Sequence, residues 1–146
     1  MDFSDFVRAG VTDWNAGDRE SFLTRYDESS RFSGPGGVTL SGSAGAALFW
    51  DVWHTAFPDG ELDPFNTFTD GRQGCVEGVF TGTHLGDFPT ADGRVLAATG
   101  NRVRVSYAER WVVSGGTVAS IRLYFDQLEL LTQLGAVPEG ALEAPR

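Results

Sequence analysis

Three side chains in this 146-residue sequence combine proton-transfer chemistry with a telling position: Glu109, His84 and Asp126. From Arg102 to Val113 the sequence alternates. Val103, Val105, Tyr107, Glu109, Trp111 and Val113 share one parity, and Arg102, Arg104, Ser106 and Arg110 share the other. On a strand, alternate residues face opposite sides, so one carboxylate falls in an apolar row. Burying it unpaired is costly and raises its pKa, so Glu109 is partnered, freed by a bulge, or functional. In the functional case it is a general acid/base, because an apolar wall brings a carboxyl toward the pH at which it both takes and returns protons.

His84 shares parity with Val76, Gly78, Phe80 and Gly82. It is a candidate for the same proton relay or for a hydrogen bond to a substrate carbonyl, with a structural role as the alternative. Asp126 reads differently: Asp-Gln-Leu-Glu has the spacing of a capping box, in which Asp126 bonds a free amide and Glu129 reaches back. His54 lies one turn from Asp51 and reads as a surface pair, and Cys75 reads as buried filler. Two distant histidines and no CxxC or HxxxH spacing give no metal signature, and no GxSxG elbow is present.

The elements that must position these groups follow from periodicity. Phe3, Phe6, Val7, Val11 and Trp14 have helical spacing that stops at Gly17, and Asp18 is placed to cap a short helix carrying Phe22, Leu23 and Tyr26. An extended piece around Arg31 to Ser33 leads to a GPGG loop. Ser43 is a candidate cap for a third helix running to about Phe57, with Ala46, Trp50, Trp53 and Phe57 on one face. The period then changes toward two, predicting strands near 62–69, 73–84, 94–113 and 117–125. In the last, Ala119, Ile121, Leu123 and Phe125 form the apolar face. Glycines at 74, 78 and 82 suggest a sharply bent strand with room for a ligand or for another packed element. Helices followed by consecutive strands indicate an α+β domain, single over residues 1–146, with a loose tail from about 137. The aromatic residues Trp14, Tyr26, Phe49, Trp53, Tyr107 and Trp111 either line a pocket between these layers or simply fill the core.

Composition narrows the chemistry. The net charge is −9 with acidic residues spread along the chain, which disfavours nucleic acid and anionic membranes as partners. All 11 basic residues are arginine. Without lysine there is no Schiff base, no pyridoxal attachment and no phosphate-loop lysine. One cysteine cannot make an internal disulfide, and the acidic N-terminal stretch MDFSDFVRAG has no signal-peptide pattern, so a cytoplasmic location is expected.

Four pieces in order, WNAGD (14–18), AFPDG (56–60), GTHLGDFPTADG (82–93) and YFDQLELLTQLG (124–135), resemble the SnoaL-like polyketide cyclases of the nuclear transport factor 2-like superfamily. The resemblance implies a cone-shaped fold in which N-terminal helices and a curved antiparallel sheet enclose one apolar pocket, commonly in a homodimer. It implies a cofactor-free cyclase or isomerase acting on an apolar, polyketide-like small molecule. Relatives also include non-catalytic binding modules, so fold alone does not fix function. In the aldol cyclases of this group, an aspartate in the last strand, three residues before the one that opens the final helix, is the acid/base. With QLG as anchor that position falls on Leu123, while a polar pocket position of the neighbouring strand falls on Glu109. The family's pocket-lining residues on the first and third helices fall on Trp14 and Phe49. Glu109 and His84 are thus the candidate catalytic residues, and Leu123 joins the aromatic set as a substrate contact.

Overall fold

The computed structural model describes residues 2–137 and Gly140. Helix α1 (Phe3–Ala16) starts where Asp2 accepts a bond from the Asp5 amide, and it buries Phe3, Phe6, Val7, Gly10 and Trp14. It stops at Gly17, whose left-handed φ of 70° lets its amide close on the Asp13 and Trp14 carbonyls. Helix α2 (Arg19–Leu23) is capped by Asp18. Strand β1 (Arg31–Gly34), a 3-10 turn (Pro35–Gly37) and strand β2 (Val38–Ser41) lead into α3 (Gly42–Ala56). Strands β3 (Glu61–Asp70), β4 (Gln73–Thr83), β5 (Phe88–Pro89), β6 (Val95–Leu96), β7 (Arg102–Ser114) and β8 (Thr117–Phe125) follow, and α4 (Gln127–Gln133) is the last element among the described residues. Among the described residues no helix is long and apolar enough to cross a membrane.

Six strands form one curved sheet in the order β2-β1-β8-β7-β4-β3, antiparallel throughout except where β1 runs parallel to β8. Register shifts at Pro64/Asn66 and Val112/Val113 interrupt its ladders, the kind of irregularity that bends strands. Aromatic and aliphatic side chains on the concave face meet α1 and α3 in a core whose largest group joins Phe57, Phe80, Phe88, Val103, Val105 and Leu130. A second group packs Phe3, Phe6 and Val7 of α1 on Val76, Trp111, Val118 and Ile121.

Several expectations are corrected. The strand expected over 94–113 is two: Val95–Leu96 pairs with Phe88–Pro89 in a separate hairpin, and the main ladder resumes at Arg102. Between them the chain turns around His84, whose backbone bonds the amide of Gly100 and the carbonyl of Asn101. Segment 38–41, which the sequence reading assigns to no element, is strand β2. Ser41, not Ser43, holds the N-cap position of α3; the Ser43 hydroxyl donates instead to the Tyr26 carbonyl at 3.2 Å. In β8 the register shift puts Val118, fully buried, rather than Ala119 on the core side. For the β4 glycines the structure decides between the two alternatives in favour of another packed element. A Cβ at Gly74, Gly78 or Gly82 would lie 2.6 Å from the Phe3 ring, 2.6 Å from the Tyr107 hydroxyl and 3.1 Å from Phe57 respectively, so the space belongs to packed aromatics. The tail expected from 137 falls, apart from residues 137 and 140, outside the described residues.

Candidate active site

Alternation on β7 holds as read: Val103, Val105, Tyr107 and Trp111 are buried, while Arg102, Arg104, Ser106 and Arg110 are exposed. Glu109 lies on the buried side. In the ladder it stands directly opposite Leu123 of β8, and such cross-strand partners have Cβ atoms only about 5 Å apart.

The two residues face a cavity of about 80 Å³ between the sheet and helices α1 and α3. Trp14, Tyr26, Phe49, Trp53, Tyr107, Trp111, Leu123 and Glu109 all line it. The space between Trp14, Glu109 and Leu123 is therefore hollow. The part of Glu109 that a water could reach faces this cavity, and burial pushes its carboxyl up to about 7 with no cation or hydrogen-bond donor to offset it. Burial first, and then the neighbouring Glu109, also push the Tyr26 and Tyr107 hydroxyls up, so both are neutral donors. Tyr107 Oη and the indole nitrogens of Trp14 and Trp111 are sealed in the packing without partners, whereas the Tyr26 hydroxyl is neither hydrogen-bonded nor among the sealed atoms. Ser30 and Arg31 also line the cavity, but the Ser30 hydroxyl donates to the Val118 carbonyl at 2.6 Å and Arg31 Nη1 to the Glu28 and Ser30 carbonyls at 3.0 and 2.9 Å. Glu109 and Tyr26 are the unsealed polar groups on its wall whose side chains make no hydrogen bond.

A second, outer chamber of about 240 Å³ adjoins the first and shares Phe49, Trp53, Leu123 and Phe125 with it. Its far wall is built by the Pro35 turn, β2, the β5–β6 hairpin and Gln127. Neither this chamber nor Gln127 was expected from the sequence. The only signal for it was the proline and glycine content of GPGG and FPTADG, which marks turns without saying that they meet.

His84 is placed elsewhere. It is fully buried at the end of β4, lines neither chamber, and packs against Phe57 at 5.6 Å between ring centres. Its Nδ1 accepts from the Thr99 amide at 3.2 Å and lies 3.0 Å from the Thr99 hydroxyl, and Nε2 has no partner. The structure does not bring His84 and Glu109 together. His54 does not pair with Asp51, which is held by two bonds from Arg19 at 2.9 and 3.0 Å. Its ring stacks on Trp50 at 3.7 Å and lies 4.3 Å from Trp14, with its nitrogens at the Trp50 and Trp14 carbonyls, so it buttresses Trp14 from behind. Asp126 caps α4 by accepting the Glu129 amide at 3.0 Å, but Glu129 does not complete the box; its carboxylate accepts from Gln133 at 3.3 Å. Cys75 is half-exposed rather than buried filler. Among the described residues no cluster of three or more His, Cys, Asp or Glu forms a cation site.

Residues 4–134 match the family model described as SnoaL-like polyketide cyclase. No curated protein matches the chain by sequence. Solved structures share the fold. A candidate SnoaL-like polyketide cyclase from Jannaschia sp. CCS1 aligns with a TM-score of 0.80 at 22% identity, covering 92% of each chain. IdmH, a candidate polyketide cyclase from Streptomyces antibioticus, aligns at 0.74 and 20% identity over 90% of this chain and 97% of its own. TerC, crystallised with polyporic acid, aligns at 0.71 and 17% identity over 90% and 95%.

Proposed function

We propose a function from one premise: the chain belongs to the SnoaL-like polyketide cyclase family. Within it, this protein is a cofactor-independent cyclase or isomerase for an uncharged, largely apolar carbonyl compound, with Glu109 as its acid/base. The observation that carries this reading is the Glu109 carboxyl, unpaired on the wall of an apolar cavity and in register with Leu123.

With its carboxyl near 7, Glu109 is present in both protonation states at neutral pH. As carboxylate it takes a proton from the carbon next to the substrate carbonyl. The C–H electron pair moves into the carbonyl, and the neutral Tyr26 hydroxyl donates a hydrogen bond to the enolate oxygen that forms. The enolate carbon then attacks a second carbonyl of the same molecule, or is reprotonated elsewhere. Glu109 returns the proton, so the enzyme ends as it began. The aromatic walls contribute by holding a flexible chain close to its reacting geometry and by excluding water. His84 has no role in these steps, since it lines neither chamber.

A second reading, a pocket that only binds, is favoured by Leu123 standing where the family's cyclases are expected to hold their carboxylate. A simple ketone separates the two. In D₂O the wild-type protein should accelerate deuterium uptake at the methyl group of 2-acetylnaphthalene. Glu109→Gln should lower that rate by about 10²- to 10⁴-fold with the ketone's affinity retained. Binding with no acceleration by the wild type would leave the binding-only reading standing.

A further inference from the structure

The outer chamber carries information about the ligand that the inner one does not. Among the described residues no charged side chain lines it, and Thr90 and Gln127 are its hydroxyl and amide side chains. Thr90 is turned into its own hairpin, where its hydroxyl meets Asp92 and the Arg94 carbonyl. Gln127 is the first residue of α4, set in place by the Asp126 cap immediately before it. Its amide sits against Gly36: a Cβ there would lie 3.1 Å from Gln127 Nε2, 3.3 Å from Oε1 and 2.9 Å from the Ala91 Cβ. Gly36 also has φ 81°, a left-handed conformation that glycine adopts without strain. The missing side chain at Gly36 thus makes the berth in which the amide rests, at the end of an otherwise apolar chamber. Among the described residues nothing hydrogen-bonds to that amide, and Gln127 lines the chamber, so a bound molecule finds its donor and acceptor unused.

We propose that Gln127 determines specificity at the far end of the ligand: an elongated, uncharged aromatic ketone spans both chambers, with its carbonyl end at Glu109 and a hydroxyl or second carbonyl at Gln127. The orientation rests on the Glu109 reading; the role of Gln127 rests on the outer chamber. An anionic ligand end is disfavoured at this chamber, because among the described residues no cation lines it and the protein carries a net charge of −9.

The test uses two fluorescent ketones of equal shape, 6-propoxy-2-acetylnaphthalene and 6-(2-hydroxyethoxy)-2-acetylnaphthalene. Their dissociation constants are measured with the full chain and with its Gln127→Leu and Gln127→Glu variants. A neutral hydrogen bond in such a site changes affinity by about 2- to 12-fold. Gln127→Leu should therefore shift the ratio of the two constants against the hydroxyethoxy ketone by about five-fold and leave the propoxy ketone's affinity in place. Gln127→Glu, which keeps the shape and an acceptor, should retain binding of the hydroxyethoxy ketone. An unchanged ratio in Gln127→Leu, equal loss of both ketones, or failure of the wild type to bind either one overturns the proposal. Deuterium uptake by the bound propoxy ketone is read in the same samples. A ratio that responds to Gln127 without Glu109-dependent exchange sinks only the acid/base reading. Glu109-dependent exchange with an unresponsive ratio sinks only this one.

Discussion

Two regions of the concave sheet face bury a polar side chain in opposite ways. At the end of β4, His84 is fully enclosed, engaged at Nδ1 by Thr99, and wrapped by the 97–101 turn that its own backbone anchors. On the neighbouring strand β7, Glu109 is largely buried but not sealed: it has no partner and opens onto a cavity. Both positions follow from the same alternation of side chains. What separates them is the space in front: packing closes over the first and leaves the second vacant. A buried polar group is common; one left unpaired beside a hollow is a site that a ligand completes.

The largest stability effect expected from this contrast lies at His84. His84→Ala removes a fully buried ring and leaves the Thr99 amide without its acceptor. Cavity formation and the lost partner together cost about 4 kcal/mol. Urea unfolding measures this. Under conditions where the variant remains folded, ketone exchange should proceed near the wild-type rate. Loss of exchange with the unfolding midpoint unchanged would reverse the assignment and return His84 to the chemistry.

Glu109 should behave in the opposite sense. Its folded-state pKa is raised from 4.5 to about 7, so the folded chain holds the proton more tightly than the unfolded chain does. Stability therefore falls as pH rises from about 4.5 to about 7, and is level above that. Glu109→Gln cannot titrate and escapes this loss. The variant should gain on the wild type across that window by at most about 3 kcal/mol, and by less where cavity water solvates the carboxylate. Parallel melting curves at pH 4.5, 6 and 8 read the difference. A gap that stays constant with pH would mean that Glu109 is paired or solvated, and the contrast with His84 would dissolve. The same titration predicts that ketone exchange, which needs the carboxylate, rises with a midpoint near pH 7.

How much of this was legible in the sequence depends on whether a signal is local. The β7 alternation is carried by residues within one strand, so Glu109, Tyr107 and Trp111 could be put on one face from the sequence alone. Two helix starts were legible for the same reason: Asp18 and Asp126 each act on an amide three residues on, while the Asp2 cap of α1 went unread and that of α3 was placed two residues late. The outer chamber was not legible. Its far wall comes from a three-residue turn, the four-residue strand β2 and the two-residue strand β5 with the turn after it, and elements so short have no period to detect. Their meeting depends on β1 adding in parallel to β8, a pairing between distant parts of the chain. The 97–101 turn was missed because the partner that breaks the long strand, His84, lies far back in the sequence.

Asp126 offers the smallest effect and the finest discrimination. It stands at the strand-to-helix junction where a catalytic carboxylate would be visually tempting, but its side chain is spent on the Glu129 amide. Glu129 does not bond back, so the cap is one-sided and its removal should cost about 1 kcal/mol, the ordinary value for a single N-cap. Asp126→Asn keeps an acceptor and should recover most of that loss. Because Gln127 begins the capped helix, Asp126→Ala should also weaken discrimination between the hydroxyethoxy and propoxy ketones, while leaving exchange on the propoxy ketone intact. If exchange falls in Asp126→Ala and Asp126→Asn alike, with both melting temperatures unchanged, Asp126 belongs with Glu109 rather than with the scaffold.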